Sequence, residues 1–175
     1  MKMNNELKCH LGNAVRYELL SGKEQESFNA AHLKSLMASW GYLEAFVVNG
    51  DKHGADLLFY RSSDGKVLKV QLKGRPTINK EYANKDIYVA YEDKSKGKWY
   101  VYNHDAVMNK TLALGKCAGT KSWDERGSWS WSSPPGWLQN ILCEWVVPSV
   151  RRSASLPIVS KPREDWMKGR YWEMT

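Results

Sequence analysis

Residues 54–75 read GADLLFYRSSDGKVLKVQLKGR, and the arrangement of this stretch decides the fold. Two runs rich in Leu, Val and aromatic residues, Asp56 to Tyr60 and Val67 to Lys73, flank Ser62, Ser63, Asp64 and Gly65, which supply turn chemistry. The pattern predicts a β-hairpin. With its turn centred on Asp64 and Gly65, Leu58 lies opposite Gln71, and Asp56 lies opposite Lys73. Partners across a ladder share a face, as do alternate residues along a strand, so Asp56, Gln71 and Lys73 converge on one side of the sheet. Leu57, Phe59, Leu68, Val70 and Leu72 go to the other side.

An acid, an amide and an ammonium on one face admit two explanations. In the first, Asp56 and Lys73 are a cross-strand ion pair on a solvated face, contributing under about 1 kcal/mol, with Gln71 as a polar neighbour. In the second, Asp56 and the amide oxygen of Gln71 hold a hard divalent cation, which prefers oxygen ligands, and Lys73 faces the water that attacks a phosphodiester. The Lys73 ammonium would then stabilise negative charge developing in the transition state.

Upstream, Ser21 to Trp40 (SGKEQESFNAAHLKSLMASW) starts with Ser21 three residues before Glu24, the pattern of a capping box, and continues with apolar residues at helical spacing. Ala30, Leu33, Leu36, Met37 and Trp40 cluster on one face of the predicted helix. Glu26 falls within the same arc, whereas Glu24 points away as the cap partner. A carboxylate on a buried stripe is costly unless it is paired. Glu26 is therefore either a third contributor to the cation site or a solvated first-turn acid that complements the helix dipole.

Gly41 ends the helix, Tyr42 to Val48 reads as a strand, and a turn spans Asn49 to Gly54. Beyond the hairpin, GRPTINKEYANK is a basic loop or short helix, and two further strands are expected at Asp86 to Tyr91 and Lys98 to Tyr102, joined by the polar turn EDKSKG. His104 to Leu114 reads as a short helix. An irregular stretch rich in Gly, Ser, Pro and Trp comes next, then a helix or strand around Leu138 to Val147. From Pro148 onward prolines and clustered Arg and Lys replace the periodic pattern. The expected organisation is one domain over residues 1–147 with a basic C-terminal extension over residues 148–175.

With 26 Lys and Arg against 19 Asp and Glu, the chain carries a formal net charge of +7, which favours a polyanionic partner. Candidate phosphate contacts are Arg75, Lys80 and Lys85 beside the hairpin, Arg126, and Arg151 and Arg152 in the extension. The nine tryptophans serve as core fillers or as stacking platforms; Trp129 and Trp131, alternating with serines after Arg126, could stack at a distorted duplex or a single strand. Cys9, Cys117 and Cys143 are odd in number and lack CxxC spacing, so they read as free thiols in a reducing cytoplasm. His10, His32, His53 and His104 show no HExxH or other paired spacing, which argues against a zinc hydrolase, and no P-loop, GxGxxG or nucleophile elbow is present. His53 is three residues from Asp56 and reads best as a surface loop histidine. Neither a signal peptide nor an apolar run of the ~18 residues needed for a membrane span is evident. The expectation is a soluble cytoplasmic protein.

Asp56 in GAD and Gln71-x-Lys73 in VQLK, after a helix that carries Glu26 and runs into Gly41-Tyr42, resemble the signature of the PD-(D/E)XK nuclease superfamily. The resemblance covers about residues 21–102, with Gln71 standing where an acid is usual. It implies an α/β, restriction-endonuclease-like core: a mixed central sheet of four to five strands flanked by helices, with the metal at the edge where the two central strands diverge. It also implies a metal-dependent DNA endonuclease, with Glu26, Asp56 and Gln71 holding Mg²⁺, or Mn²⁺ in its place, and Lys73 as the catalytic lysine. The DNA form, whether duplex, branched or single-stranded, stays open, and homodimer pairing is compatible with such a role. Two alternatives remain: a nucleic-acid-binding protein that keeps the fold with weakened catalysis, and a Trp-rich protein-interaction module.

Overall fold

The structure is a computed structural model that describes residues 14–47 and 54–149. It is mixed α/β. Helix α1, Gly22–Ala38, leads into the antiparallel strands β1 (Tyr42–Val47), β2 (Leu57–Arg61) and β3 (Lys66–Leu72). A short strand β4 (Thr77–Asn79) and a 3₁₀ turn follow, and β5 (Ile87–Asp93) then returns parallel to β3. Strand β6 (Lys98–Asn103) pairs antiparallel with β5, and after helix α2 (His104–Ala113) comes a short helix α3 (Lys121–Asp124). Strand β7 (Ser128–Ser130), helix α4 (Gly136–Leu142) and strand β8 (Val146–Val147) complete the described chain.

The main sheet is six-stranded in the order β1-β2-β3-β5-β6-β8, and β4 and β7 form a separate two-stranded ribbon. It exceeds the expected four to five strands because the segment around Leu138 to Val147 divides. Its first part is helix α4, and its last two residues form β8 on the edge of β6.

Helices cover both faces. On one, Leu33 and Met37 of α1 pack with Leu57, Phe59 and Val70, as the alternation in β2 and β3 requires. On the other, Val107, Leu138, Ile141 and Leu142 of α2 and α4 pack on Val89, Tyr91 and Tyr102. Burial of these side chains against both faces of the sheet holds the layers together. Helix α1 begins as the sequence dictates: the Ser21 hydroxyl accepts from the Glu24 N–H and the Glu24 carboxylate accepts from the Ser21 N–H at 2.8 Å. Gly41 leaves the helix at φ 79° and turns the chain into β1.

The hairpin register differs from the centred-turn expectation. Leu57 pairs with Val70, Leu58 with Lys69 and Phe59 with Leu68, so the strands are slipped by two residues and Asp56 comes to lie across from Gln71 rather than Lys73. The cause is the turn. Gly65 sits at φ 71° as the last of four loop residues between Arg61 and Lys66, instead of at the centre of a two-residue turn, and its N–H donates to the Arg61 carbonyl at 2.9 Å. A slip of two preserves the alternation, so the apolar set keeps its face.

The basic segment after Lys73 is also more ordered than a loop. Thr77 pairs with Ser130, Ile78 with Trp129 and Asn79 with Ser128. Buried Tyr102 fastens the ribbon to the sheet, accepting from the Thr77 N–H at 2.9 Å and donating to the Thr77 carbonyl at 2.7 Å. The turn before Gly54, with His53, lies outside the described residues, as do Cys9, His10 and the extension from residue 150 that holds Arg151 and Arg152. Among the described residues no helix is long and apolar enough to cross a membrane.

Candidate functional site

Asp56 sits where β2 and β3 part. Its N–H still donates to the Val70 carbonyl at 2.9 Å, but the β2–β3 ladder ends there and Leu72, paired with Ala90 of β5 on its other side, has no β2 residue opposite it. The Asp56 carboxylate takes over that acceptor role: Oδ2 receives the Leu72 N–H at 2.8 Å and the Gln71 side-chain NH₂ at 2.6 Å. Asp56 is thus bonded to the neighbouring strand end, not paired with Lys73. The ion-pair explanation of this face is replaced by a hydrogen-bonded carboxylate–amide pair.

Gln71 is 5% exposed, and while its NH₂ serves Asp56 its Oε1 is buried with no hydrogen-bond partner among the described residues. A buried amide oxygen left unpaired costs about 1–3 kcal/mol. The orientation follows from charge, because an amide oxygen placed against the carboxylate would repel it. Holding a cation between Gln71 and Asp56 therefore requires the amide to turn over.

Glu26 reaches the same place from the first turns of α1. With Lys23 and Lys34 on the helix and Asp56 and Leu72 at the strand ends, it lines a cleft of about 280 Å³. Glu26 itself is exposed, so its position on the apolar arc brings it to the rim of the α1–sheet packing and not inside it. Burial pushes the Asp56 carboxyl above the usual carboxylate range, against the pull of the Leu72 N–H, the Lys73 charge and the Gln71 amide, and the neighbouring Glu26 charge adds to the rise. Such a carboxylate gains most from a cation, which would offset both the burial and the like charge.

Lys73 continues the β3–β5 pairing by one residue, its N–H donating to the Ala90 carbonyl at 2.8 Å. Its ammonium lies 5.5 Å from the centre of the Tyr82 ring, in a second cleft that also holds Arg75. Asp56 therefore meets Glu26 in one cleft and Gln71 through a hydrogen bond, but Gln71 does not line that cleft and is not brought to Glu26; Lys73 stands near enough for its charge to act on Asp56. Among the described residues no three His, Cys, Asp or Glu side chains gather to hold a metal ion; the oxygen donors here are two carboxylates and an amide.

The remaining candidates are dispersed. Arg75, Lys85 and Arg126 are exposed. The Lys80 ammonium stands 5.0 Å over the Trp123 ring, and the Lys85 carbonyl accepts from Lys69. Trp129 and Trp131 are half-buried against the α2–α4 side of the core, with Trp131 edge-on to Trp137 at 5.7 Å. Trp129 belongs to the ribbon itself, and both rings pack on the core.

His104, whose Asn103-His104-Asp105 run looks like a fragment of other nuclease motifs with nothing around it in support, was not assigned to the site from the sequence. It is wholly buried, with Nδ1 3.0 Å from Asp105 Oδ1 and Nε2 accepting the Asn79 N–H at 3.0 Å. Burial lowers its pKa against the opposing pull of Asp105, so the neutral ring holds the end of β4 in place. The one available signal was its position at the start of α2, directly after the strand that ends at Asn103. No family model matches the chain, and neither a curated protein nor a solved structure does.

Proposed function

We propose that the chain is a metal-dependent DNA endonuclease with a restriction-endonuclease-like core, hydrolysing phosphodiester bonds at the point where β2 and β3 diverge. The observation that carries this reading is the meeting of Asp56 with Glu26 in one cleft, with Asp56 also bonded to the Gln71 amide, whose oxygen has no partner among the described residues. Asp56, Glu26 and Gln71 are the residues that would hold Mg²⁺, a hard cation that takes oxygen ligands and keeps part of its water shell. When bound, the ion would polarise the phosphoryl oxygen and ease deprotonation of water.

The chain's own residues account for the rest. Asp56 is fixed by two hydrogen bonds, so it is preorganised, and burial with the neighbouring Glu26 charge raises its pKa. Lys73 supplies positive charge near the phosphate as water adds to phosphorus and one ester P–O bond breaks, the departing oxygen taking up a proton. Arg75 extends that field along the neighbouring cleft.

A second reading, a nucleic-acid-binding protein with weakened catalysis, is favoured by one feature: Gln71 presents its NH₂ to Asp56. Incubation of supercoiled, branched and single-stranded DNA with Mg²⁺ or Mn²⁺ separates the two. Cutting by the native chain that is lost in both Asp56→Asn and Lys73→Ala is the expected result. Cutting that survives both substitutions refutes the assigned site, and steeply salt-dependent binding without cutting supports the second reading.

A further inference from the structure

Lys73, Arg75, Thr77 and Asn79 alternate along the chain, and all four line one cleft of about 370 Å³. The β4–β7 register puts Ser130 across from Thr77 and Ser128 across from Asn79, and both serines line the same cleft. Ile78 and Trp129, the pair between them, pack on the core instead. The ribbon is therefore amphipathic with strand period: one face anchors it to the core, and the hydroxyls and amide of the other form the floor of the cleft.

Among the described residues no carboxylate lines this cleft, in contrast to the Glu26–Asp56 cleft and to the one on the far side of Arg75, which holds Glu92 and Asp93. Lys34, Arg61 and Lys110 each pair with an acid, whereas Lys73 and Arg75 form no salt bridge among the described residues. Two cations over a neutral polar floor gain from an anion between them. The Thr77 hydroxyl donates to the Arg75 carbonyl at 3.1 Å, so the ribbon fixes the backbone that carries the guanidinium. Ser130 shares a hydrogen bond with Thr77 at 2.9 Å, and Ser128 donates to the Ile78 carbonyl at 3.4 Å. Either hydroxyl can turn its proton to an ionised oxygen, which makes the stronger bond.

We propose that this cleft is a track for the sugar–phosphate backbone of a polynucleotide, in which Lys73 and Arg75 neutralise phosphates and the polar face of the β4–β7 ribbon supports the strand. The inference rests on the nuclease reading and deepens it: the substrate is held by its backbone, independently of the metal and of base sequence. The lining has little with which to read a base. Tyr82, its one aromatic side chain, is 5% exposed and has no face free for stacking. Asn79 has its amide engaged at both ends, Oδ1 accepting the Glu81 N–H at 2.9 Å and Nδ2 donating to the Glu81 carboxylate at 3.3 Å, so it is not free to grip a base edge. What remains is chemistry for phosphate.

The test measures binding without divalent cation, so that cutting plays no part. Fluorescence anisotropy follows two labelled duplexes of unrelated sequence and a labelled abasic oligomer across a salt series. The native chain is expected to bind the two duplexes alike and to retain the abasic oligomer, with affinity falling steeply as salt rises. Arg75→Ala should weaken all three and lower the slope of log affinity against log salt by about 0.7–1, the loss of one phosphate contact. Its side chain is exposed, so thermal unfolding should be unchanged. Ser130→Ala should weaken binding by roughly 2- to 10-fold with the slope unchanged. Lys66→Ala removes the same charge from the opposite end of β3, where Lys66 stands 3.6 Å from Asp64, and should leave the slope as it is. Equal slopes for the native chain and Arg75→Ala overturn the proposal, as do a slope lowered as much by Lys66→Ala, loss of the abasic oligomer, or no binding at all. If Arg75→Ala binds as the native chain does and DNA is still cut with Mg²⁺, the track fails alone; if the track behaves as expected and no DNA is cut, the nuclease reading fails and the track survives.

Discussion

Replacing Asp56 separates its two roles, as a strand-end acceptor and as a half-buried charge. Asp56→Ala removes the acceptor of the Leu72 N–H and of the Gln71 amide, and Gln71 is then buried with neither end of its amide bonded. Losing partners for buried donors costs about 1–3 kcal/mol. Asp56→Asn keeps an oxygen in the same place, able to accept both bonds, and removes the charge whose burial raises the native pKa. At neutral pH, without divalent cation, Asp56→Asn should therefore be at least as stable as the native chain. Asp56→Ala should fall below Asp56→Asn by about 1–3 kcal/mol, or roughly 2–12 °C in Tm for a chain of this size.

The pH dependence has a definite sign. The folded pKa of Asp56 lies above the unfolded value of 3.8, so the native chain binds the proton more tightly when folded. The stability this provides is complete below 3.8 and is lost as pH rises through the folded pKa. The advantage of Asp56→Asn over the native chain should accordingly grow from acidic to neutral pH. Calorimetry or urea denaturation across that window measures it. An Asp56→Asn variant less stable than Asp56→Ala, or an advantage that shrinks as pH rises, would refute the reasoning.

Two further expectations concern the elements that position the site. Gly54 has φ +71°, and a Cβ there would stand 2.9 Å from Ile87 Cδ1 and 3.1 Å from the Tyr82 ring; Gly54→Ala should destabilise by about 1–3 kcal/mol, read as a lower urea midpoint with an unchanged m-value. Because His104 has a lowered pKa in the fold, the unfolded chain takes up a proton first as pH falls below 6.5. Stability is then lost with falling pH, at up to about 1.4 kcal/mol per pH unit from this residue, and the matching loss should be absent in urea titrations of His104→Asn.

Much of the scaffold was legible because its signals are local. Ser21 and Glu24 cap α1 reciprocally as their spacing dictates, and the alternation of Leu57, Phe59, Leu68, Val70 and Leu72 placed the core face of the hairpin correctly. Register was not legible: whether Gly65 lies at the centre or the end of its turn is decided by backbone geometry that the letters Asp-Gly do not fix, and this moved Asp56 from Lys73 to Gln71. The β4–β7 ribbon had a signal that was missed. Ser128, Trp129, Ser130 and Trp131 alternate with strand period, but each strand is only three residues long and its partner lies about 50 positions away, between Thr77 and Asn79. The orientation of the Gln71 amide, set by Asp56, and the contact of His104 with the Asn79 N–H depend on neighbours distant in sequence.

Whether the Glu26–Asp56 cleft takes a cation is measured most directly by titrating Mn²⁺ into the metal-free chain and following the free ion by electron paramagnetic resonance. The expected result is saturable uptake at one site in the native chain, abolished in Asp56→Asn and weakened in Glu26→Gln. A native chain that takes up no Mn²⁺, or an Asp56→Asn variant that binds it as the native chain does, would contradict the assignment.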